Sequence, residues 1–585
     1  MKLKCFVATI SAVFTLVTLM LTNISFATTN NYIKQKYIPL FASEESRLKF
    51  KNQFSKKTSE VNSSNITSVP TSCDLSTNED SRYFPPIGNQ EGESTCSAWA
   101  TTYYQFTYAA NKLNDIATTA NNAYSPAWTH LMASDGYFGA YPQGIYGVLK
   151  NHGSLTMNEM PYEMLLSGDS SWQSNTEAMM KALQTRLSYY NDAEIPAAGT
   201  PITSKTDVDL LEIKQLICTG HILTVEAKTL WWATKPRYNN SDEVVIYRGV
   251  EESIPHAIAI VGYNDNVCCD VNGNGIIETS ERGAFKLANS IGTDNGNNGY
   301  IWVLYDALNC RSANTTNNWE ASEQGERIPI FSRFHYIEVE NHDVNLAGLL
   351  TINTNHKNKL NVILFRDSNN LNKYTEINSI KYMNDPFWYQ PDDNIYNANW
   401  SYNGSLVLDY DGLDDPVNIC RSGFYFGVDI INQYSTNNAS FSNVSFKVID
   451  NKFNVVKQIS SLPINISNGN NACKSAKIAC KKGDLNYDGK ITADDSTLLM
   501  NYCAMIIDLS NLQYYLGDYN NDGDVNVTDV ISINQDLIST ASTNELRKIE
   551  AVNQQIKQYM IDKNYSVSEI QKVDALNNSI QKVLR

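Results

Sequence analysis

The fold of this chain is decided by the stretch Asn89-Gln90-Glu91-Gly92-Glu93-Ser94-Thr95-Cys96-Ser97-Ala98-Trp99-Ala100. It places a cysteine where a loop containing Gly and Ser gives way to a predicted helix over Ala98–Leu113. A thiol at a helix N-terminus feels the partial positive charge of unpaired backbone amides, which favours the thiolate. Cys96 is therefore a candidate nucleophile. Such a nucleophile also needs a base and a polar group that orients the base.

Two later segments supply these groups. Pro255-His256-Ala257-Ile258-Ala259-Ile260-Val261-Gly262-Tyr263 puts a histidine at the start of an apolar strand. Lys286-Leu287-Ala288-Asn289-Ser290-Ile291-Gly292 then brings an asparagine, followed by Asn298-Gly299-Tyr300. A lone cysteine is usually a buried small hydrophobe, and a lone histidine before a strand is usually structural. Taken together and in this order, the residues instead indicate a nucleophile, its base and an orienting group.

With Gln90 six residues before Cys96, these segments resemble the papain-like cysteine peptidases. The resemblance covers residues 73–337 and implies an α+β domain that hydrolyses peptide bonds. In it Cys96 would attack the scissile carbonyl and His256 would form the thiolate–imidazolium pair. Asn289 would orient the imidazole, while Gln90 and the Cys96 amide would stabilise the oxyanion. The family's intervening segments are also present: Tyr124-Ser125-Pro126, Gly153-Ser154-Leu155-Thr156 and Pro161-Tyr162.

Several positions depart from the family pattern. Ser97 stands directly after the nucleophile, where the family has Trp, and Glu93 replaces a cysteine that normally forms a disulfide. Ile291 replaces the tryptophan that shields the histidine–asparagine hydrogen bond. No long helical inhibitory prodomain precedes Cys73. We expect altered efficiency rather than lost activity. The rival hypothesis is a catalytically weak or inactive binding or scaffolding module.

Two acidic loops near the C-terminus have the twelve-residue pattern of a calcium-binding loop. Each has oxygen ligands at positions 1, 3, 5 and 12, a glycine at position 6 and a backbone carbonyl ligand at position 7. The predicted ligands of the first loop are Asp484, Asn486, Asp488, the carbonyl of Lys490, and Asp495. Those of the second loop, which begins 34 residues later, are Asp518, Asn520, Asp522, the carbonyl of Asp524, and Asp529.

The duplicated loops, over residues 481–540, resemble a dockerin, the module that docks to cohesin domains in cellulosome-type complexes. The resemblance implies two calcium ions and a cohesin-bearing scaffold protein as partner. Loop positions 10 and 11 influence the choice of cohesin in that family. Here they are Ala493-Asp494 and Val527-Thr528, which differ between the repeats and match no assignable pairing.

A third loop with the same pattern lies inside the peptidase region, between His256 and Asn289. Its predicted ligands are Asp270, Asn272, Asn274, the carbonyl of Ile276, and Glu281 at the bidentate position. A calcium ion here would rigidify the hairpin that joins the base to its orienting group. The alternative is a metal-free turn rich in Asn and Asp.

The texture of the chain predicts a multidomain architecture. Within the peptidase region it predicts a second helix over Asn175–Tyr190 and strands over Ile222–Ala227, Ala257–Tyr263 and Gly299–Tyr305. Short β-rich runs separated by Asn, Asp and Gly clusters indicate an antiparallel β-sandwich after the peptidase. Its aromatic residues Trp388, Tyr389, Trp400 and Tyr402 would either stack on carbohydrate or lie in the core. The predicted segments are a signal peptide (1–27), a leader, short propeptide or linker (28–72), the peptidase (73–337), the sandwich (338–466), a linker (467–480), the all-α dockerin (481–540) and a helical tail (541–585).

The predicted tail has apolar residues at helical spacing, and Ser566 with Glu569 forms a capping box. It would pack on the dockerin, on a partner, or form a surface hairpin.

Composition and the first residues indicate export. The net charge of −16 opposes binding to nucleic acid or anionic membranes. Lys2 and Lys4, an apolar run over Phe6–Leu21, and Ser25-Phe26-Ala27 have the pattern of a cleaved signal peptide. No later run approaches the roughly 20 apolar residues of a membrane helix. We therefore expect a secreted, extracellular cysteine endopeptidase acting on proteins and peptides, held on a complex by its dockerin and not inserted in a membrane.

Cysteine spacing does not specify a disulfide pattern. Ten cysteines remain after the predicted signal peptide, and setting Cys96 aside as a working thiol leaves an odd number. At least one further cysteine is therefore unpaired or bridged between molecules. Cys473 and Cys480 are the only two close enough in sequence to indicate a local bridge.

Overall fold

A computed structural model describes residues 69–133, 139–194, 204–227, 232–249, 256–308, 330–354, 360–367, 375–381, 402–410, 425–432, 439–459, 465–466, 471–478 and 480–585. Over these residues the chain is a multidomain α+β protein with several sheets. The predicted signal peptide, the leader up to residue 68, and the sandwich residues Trp388, Tyr389 and Trp400 lie outside them.

The first long helix, α1, begins at Cys96. It runs through three consecutive sections, Cys96–Ala98, Trp99–Phe106 and Thr107–Leu113. The predicted helix over Ala98–Leu113 is thus confirmed. The middle section is wound more widely than an α-helix, since the Thr107 amide donates to the Thr102 carbonyl five residues back. Every side chain of this section is buried, because it passes between the sheet and the other helices.

Four shorter helices complete the helical half of the first region. They are α2 (Pro126–Ala133), α3 (Pro142–His152), α4 (Tyr162–Ser167) and α5 (Thr176–Ala182). The helix predicted over Asn175–Tyr190 is correct only for its first half, because a strand, β2 (Thr185–Glu194), follows α5. Leu187 and Tyr190 of this strand are buried, and long-range pairing with a distant strand overrides the local helical pattern.

A nine-stranded sheet forms the other half of this region. Its order is β2-β9-β3-β6-β7-β8-β5-β4, with β1 added on β6, and all pairs except β5–β8 are antiparallel. The strands are β1 (Ser72–Asp74), β2, β3 (Leu223–Ala227), β4 (Trp232–Arg237), β5 (Asn240–Gly249), β6 (His256–Cys268), β7 (Arg282–Ala288), β8 (Tyr300–Leu304) and β9 (Phe331–Asn341). Helices α6 (Ser204–Cys218) and α7 (Tyr305–Leu308) lie between them in sequence.

Strand β9 crosses the predicted domain boundary at residues 337 and 338. It pairs with β2 and β3 as far as Asn341, so the first region extends beyond the position that sequence texture indicated. The predicted strands over Ile222–Ala227 and Gly299–Tyr305 contain β3 and β8, and the one predicted over Ala257–Tyr263 lies within the longer β6.

Two further antiparallel sheets follow. One has the order β13-β10-β15-β16 with β17 on β15, and the other has the order β12-β11-β14-β18. Their buried side chains, including Leu350, Leu364 and Phe446, belong to one hydrophobic core. The strands are β10 (Leu346–Thr354), β11 (Leu360–Asp367), β12 (Thr375–Lys381), β13 (Tyr402–Asp409), β14 (Tyr425–Asn432), β15 (Ala439–Asp450), β16 (Val455–Ile459), β17 (Asn465–Ile466) and β18 (Asn471–Lys477).

Strand β18 lies inside the predicted linker 467–480. It pairs with β14 over Tyr425–Ile431, so this segment is part of a sheet rather than a free connection. Its polar sequence, Asn-Ala-Cys-Lys-Ser-Ala-Lys, carries no strand signal, and the pairing partner alone explains the structure.

A buried ionic cluster joins the first region to the second. The Arg186 guanidinium of β2 lies 2.8 Å from the Asp409 carboxylate at the end of β13, and His342 Nε2 lies 2.9 Å from the same carboxylate. The Asp409 side chain is fully buried. A buried charge is tolerated only with partners of this kind, so the cluster fixes how the two regions meet.

The C-terminal part is helical and contains the two predicted calcium loops. Each loop is followed by a helix, as predicted. The helices are α8 (Ala493–Cys503), α9 (Asn511–Gly517), α10 (Val527–Leu537), α11 (Thr543–Asp562) and α12 (Val567–Leu584). The predicted capping box is confirmed, because the Glu569 amide donates to Ser566 Oγ and the Ser566 amide donates to the Glu569 carboxylate.

The tail helices α11 and α12 share one core with the loop helices. Val552 and Val573 pack with Leu499 and Ile533, which belong to α8 and α10. A chain of buried side-chain hydrogen bonds crosses the same interface: Ser496 Oγ donates to Asn534 Oδ1 (2.6 Å), Asn534 Nδ2 to Asn553 Oδ1 (2.8 Å), and Asn553 Nδ2 to Asn577 Oδ1 (2.9 Å). Of the three predicted placements of the tail, packing on the loop helices is the one observed.

No helix in the described part of the chain is long and apolar enough to cross a membrane.

We predict that Asp409→Ala destabilises the protein by about 3–5 kcal/mol, because it leaves Arg186 buried without its partner. The matched control is Asp115→Ala, which breaks an ion pair with Arg82. The two side chains are 74% (Asp115) and 52% (Arg82) exposed, so this substitution should have a much smaller effect. Urea unfolding of the full chain measures both. Equal effects of the two substitutions would contradict the structural role of the cluster.

Candidate active site

The three residues predicted to act together lie at the ends of three elements. Cys96 is the first residue of α1, His256 is the first residue of β6, and Asn289 follows directly after β7. Strands β6 and β7 are antiparallel neighbours, which brings the start of one beside the end of the other. All three side chains are buried. The structure therefore brings Cys96, His256 and Asn289 into one site.

The imidazole of His256 is held from both sides. Its Nε2 lies 3.0 Å from Asn289 Oδ1, and its ring also hydrogen-bonds the sulfur of Cys96. An amide oxygen only accepts, so Nε2 carries the proton in this bond and the other ring nitrogen is left for the sulfur. Asn289 Oδ1 also accepts the Ser290 amide at 2.9 Å, which fixes the asparagine side chain.

The surroundings of Cys96 favour its thiolate. Burial alone would raise the pKa of the thiol, but the hydrogen bond and charge of His256 outweigh it and lower the pKa below that of an ordinary cysteine. The backbone amides of Ala257 and Ser97 also donate to the sulfur and act in the same direction. Ser97 is in the first turn of α1, so the helix N-terminus contributes as the sequence indicated.

The same pair shifts the imidazole in the opposite direction. Burial would lower the pKa of His256, but the hydrogen bond and negative charge of Cys96, with the hydrogen bond to Asn289, raise it above that of an ordinary histidine. A lowered thiol pKa beside a raised imidazole pKa favours the thiolate–imidazolium form of the pair over its neutral form.

Gln90 is fixed next to this pair. Its Oε1 accepts Ser290 Oγ at 2.6 Å, and its Nε2 donates to the Glu93 carbonyl at 2.5 Å. Because the serine hydroxyl donates to Oε1, the orientation of the amide is assigned and Nε2 keeps a second N–H. The backbone N–H of Gln90 also donates to the backbone carbonyl of Ser290 at 2.7 Å. The loop before α1 is thus tied to the segment that carries Asn289.

Two tyrosines that were not predicted as site residues support the site, although Tyr162 belongs to a segment that resembles the family. Tyr104 Oη donates to the Asn289 carbonyl at 2.7 Å, and the Gly88 amide donates to the same hydroxyl at 3.0 Å. Tyr162 Oη donates to the Gln90 carbonyl at 3.0 Å and lies 2.6 Å from Thr95 Oγ1. These contacts join residues far apart in sequence, so no local spacing could have shown them.

A glycine and a tryptophan pack tightly under the nucleophile loop. A Cβ atom at Gly88 would lie 2.0 Å from the Trp99 ring, so only glycine fits at this position. Trp99 is buried, and its ring lies 4.7 Å from Tyr103 and 5.0 Å from Tyr162. Trp99 is therefore a core residue that supports the nucleophile loop.

The aromatic neighbour of His256 comes from a place that the sequence did not indicate. The Trp232 ring of β4 lies 6.3 Å from the imidazole at an angle of 53°. Ile291, the replacement expected for an aromatic shield, is 41% exposed and forms a β-bridge with Asn89. The position of the family's shielding tryptophan is thus occupied by the aliphatic Ile291, but Trp232 from strand β4 lies beside His256.

In all three predicted calcium loops the carboxylate at position 12 accepts backbone amides of the loop, and in two of them the glycine amide at position 6 also donates to the aspartate at position 1. In the loop from Asp484, the Gly489 amide donates to that carboxylate at 2.9 Å, and the Leu485 amide donates to Asp495 at 2.8 Å. In the loop from Asp270, the Gly275 amide donates to Asp270 at 2.8 Å and the Val271 amide to Glu281 at 2.8 Å. The corresponding bonds around position 12 of the second loop are Asn520 N to Asp529 (3.0 Å) and Asn526 N to Asp529 (2.9 Å).

The two C-terminal loops fit a cation better than the third. Oδ1 of Asp484 and Oδ1 of Asp518 are buried without a hydrogen-bond partner among the described residues. In the third loop both carboxylate oxygens of Asp270 accept backbone amides. In the described part of the chain, no three His, Cys, Asp or Glu side chains converge to hold a metal on their own. Asn side chains and backbone carbonyls would have to complete the coordination.

No family model and no curated protein matches the chain. Solved structures do match part of it. Xylellain, a cysteine protease from Xylella fastidiosa, has 16% identity over 47% of this chain and 87% of its own, with a TM-score of 0.28. Procathepsin L2 from Tenebrio molitor has 18% identity over 46% and 69% at 0.29, and bromelain from Ananas comosus, in complex with the E64 inhibitor, has 15% over 46% and 100% at 0.28. TM-scores this low leave the function to be argued from the site itself.

We predict that the rate at which iodoacetamide alkylates Cys96 increases with pH, and that this increase occurs at lower pH than for an ordinary thiol. In His256→Ala the rise should move to higher pH than for an ordinary thiol, because burial, which raises the Cys96 pKa, is no longer opposed by the imidazole. The tryptic peptide 83–112 contains Cys96 as its only cysteine, so mass spectrometry follows it specifically.

The internal control for this measurement is Cys503. Burial, followed by the charge of Asp529, raises its pKa to about 12, so it should react slowly at neutral pH in both proteins. Fast labelling of Cys503 would show loss of the fold rather than loss of the pair. Unchanged pH profiles for Cys96 in the two proteins would contradict the thiolate–imidazolium assignment.

Proposed function

We propose that this chain is a cysteine endopeptidase that hydrolyses peptide bonds in proteins and peptides. The observation that carries the proposal is the buried Cys96–His256–Asn289 constellation at the meeting point of α1, β6 and β7. A structural cysteine or histidine needs none of these arrangements. A thiol with a lowered pKa, an adjacent base and an amide that orients the base are the three parts of a covalent nucleophilic mechanism.

In the proposed reaction the Cys96 thiolate attacks the carbonyl carbon of the scissile bond. The oxyanion that develops would be stabilised by the Cys96 amide, at the start of α1, and by the second N–H of Gln90 Nε2. The imidazolium of His256 then gives its proton to the leaving amine, and an acyl-enzyme remains on the sulfur. Water, deprotonated by the neutral imidazole, attacks the acyl group and releases the carboxylate product.

Asn289 acts through the imidazole rather than on the substrate. Its Oδ1 accepts the Nε2 proton and selects the ring orientation in which the other nitrogen meets Cys96. The Tyr104 hydroxyl holds the Asn289 carbonyl, and Ser290 holds Gln90, so base and oxyanion donor are set by one short segment. This preorganisation supports catalysis although the residues after Cys96 and Asn289 depart from the family pattern.

We predict that Cys96→Ala lowers the kcat/KM for a protein or peptide substrate by about 10³–10⁶-fold, because the nucleophile is lost. An epoxide inhibitor of cysteine peptidases should label the wild-type protein at peptide 83–112, and Cys96→Ala should not be labelled there. Cys503→Ser is the matched control, because it removes a thiol outside the site and should keep both activity and labelling. Correctly folded protein that is neither active nor labelled would favour the rival scaffolding module.

We further propose that the C-terminal helical part binds two calcium ions and docks to a cohesin domain of an extracellular scaffold protein. The supporting observation is the pair of buried, unpaired oxygens of Asp484 and Asp518, one in each loop. When bound, the ions would supply a positive charge to these two oxygens; the other oxygen of Asp518 already lies 3.5 Å from Lys482 Nζ. The signal-peptide pattern and the docking module together support a secreted protein that is held on a cell-surface or extracellular complex.

The loop from Asp270 to Glu281 is proposed as a third, weaker calcium site. Its position 12 carboxylate accepts backbone amides as in the other two loops, although the Asp270 carboxylate is occupied by backbone amides. Its position between β6 and β7 means that an ion here would act on the hairpin that carries His256 and Asn289.

We predict that calorimetric titration of the calcium-free full chain with calcium shows two sites that are lost one at a time in Asp484→Ala and Asp518→Ala, since each removes the first ligand of one loop. A weaker third site should disappear in Asp270→Ala. Asp508→Ala is the control, because that side chain is 88% exposed and lies outside every loop. Calcium-dependent capture by immobilised cohesin domains should be reduced by the first two substitutions only. Calcium-dependent cohesin capture that is unchanged in Asp484→Ala would contradict the docking proposal.

A further inference from the structure

Two cysteines far apart in sequence meet at the start of the first region. Cys73 lies on β1, and Cys218 is the last residue of α6. Cys73 Sγ donates to the carbonyl of Ile217, the residue before Cys218, at 3.9 Å, and the pKa of Cys73 is raised by burial and by the charge of the nearby Cys218. Both side chains are half-buried. Nothing in the spacing of the sequence indicated this pair.

Tyr263 holds the two thiols at this point. In the pairing of β1 with β6, Cys73 is directly opposite Tyr263. The Tyr263 hydroxyl donates its proton to the Pro70 carbonyl at 2.6 Å, so the contact with Cys218 Sγ at 3.0 Å has the thiol as donor. The sheet register and one hydroxyl therefore place both sulfurs on the same side of β6.

We infer that Cys73 and Cys218 form a structural disulfide in the mature protein. The reaction is a thiol–disulfide exchange with an external disulfide such as oxidised glutathione, which accepts two electrons. One thiolate attacks the external disulfide and gives a mixed disulfide, the second attacks this intermediate, and the Cys73–Cys218 bond forms with release of two reduced thiols. An oxidising extracellular environment supplies such an acceptor.

The bond would anchor the strand that follows the leader. Strand β1 is only three residues long and lies beside the leader-to-domain junction, held by its pairing with β6 and by an ion pair between Asp74 and Lys286 at 2.7 Å. A covalent link from Cys73 to α6 keeps β1 on β6 whatever happens to the residues before it. It also closes a long loop that contains all of α1, which constrains the unfolded chain.

The reduced pair is chemically distinguishable from the nucleophile. Burial and the charge of Cys218 raise the pKa of Cys73 to about 12, whereas the pKa of Cys96 is lowered. At neutral pH an alkylating reagent therefore discriminates between them. The disulfide should form faster as the pH rises, because thiolate is the attacking species.

The test uses the full chain with Cys96→Ser, which prevents self-cleavage and removes the reactive thiol from exchange. The protein is equilibrated with oxidised glutathione at about pH 8, near the ordinary pKa of a thiol, then alkylated under denaturing conditions and digested with trypsin without reduction. Peptides 58–82 and 215–228 contain Cys73 and Cys218 as their only cysteines. We expect these two peptides joined to each other, and separate after reduction. Recovery of both as alkylated thiols, or of either joined to another cysteine, overturns the inference.

A second measurement separates a structural disulfide from an incidental one. Reductant should lower the thermal midpoint of the Cys96→Ser protein by several degrees, and this effect should vanish when Cys218→Ser is added. The added substitution Cys503→Ser is the matched control and should keep the full reductant effect. A reductant effect that survives in Cys218→Ser would contradict the inference, and peptide mapping decides the question even where Cys73→Ser does not fold.

Discussion

The buried imidazole of His256 lies between a sulfur and an amide oxygen, and the surrounding structure depends on this arrangement. A charged pair is stable in such a place only when each partner is held and hydrogen-bonded. The helix start supplies amides to the sulfur, and the end of β7 supplies the amide oxygen. Gly88 lets Trp99 pack under the nucleophile loop, and Tyr104 ties that helix to the Asn289 carbonyl. The helical half and the sheet of the first region therefore meet at the His256 imidazole.

The parts of the site that could be predicted from the sequence are those with a local signal. Cys96 stands at a loop-to-helix transition, and His256 begins an apolar run, so each element could be recognised from its own residues. The residues that hold them could not. Tyr104, Tyr162 and Trp232 act through contacts with residues distant in sequence, and a tyrosine inside an apolar helix is typical of any core.

The errors in the fold have the same origin. Strand β2 and strand β18 have sequences that do not favour a strand, and each is specified by its neighbour in the sheet. Strand β9 runs across the predicted boundary at residues 337 and 338, because a change of composition does not mark where strand pairing stops.

The regions of this protein are joined by specific contacts. Arg186 and Asp409 link the first region to the sheets that follow, and Tyr487, inside the first calcium loop, donates to the buried Asp450 carboxylate of β15 at 2.8 Å. A helical part on a free tether would sample many orientations, whereas these contacts hold the loop helices against the sheets. The C-terminal helices therefore have a defined direction relative to the sheets.

The amide chain from Ser496 through Asn534 and Asn553 to Asn577 has a further meaning. Each link donates in one direction, so sliding α11 by one residue would break both of its bonds, to Asn534 and to Asn577, and leave buried polar groups without partners. This series of hydrogen bonds therefore specifies a single alignment of the four helices α8, α10, α11 and α12. Such a unit can be inherited or transplanted only as a whole, because the predicted calcium loops and their helices, without α11 and α12, would leave the buried Asn534 amide without its partner.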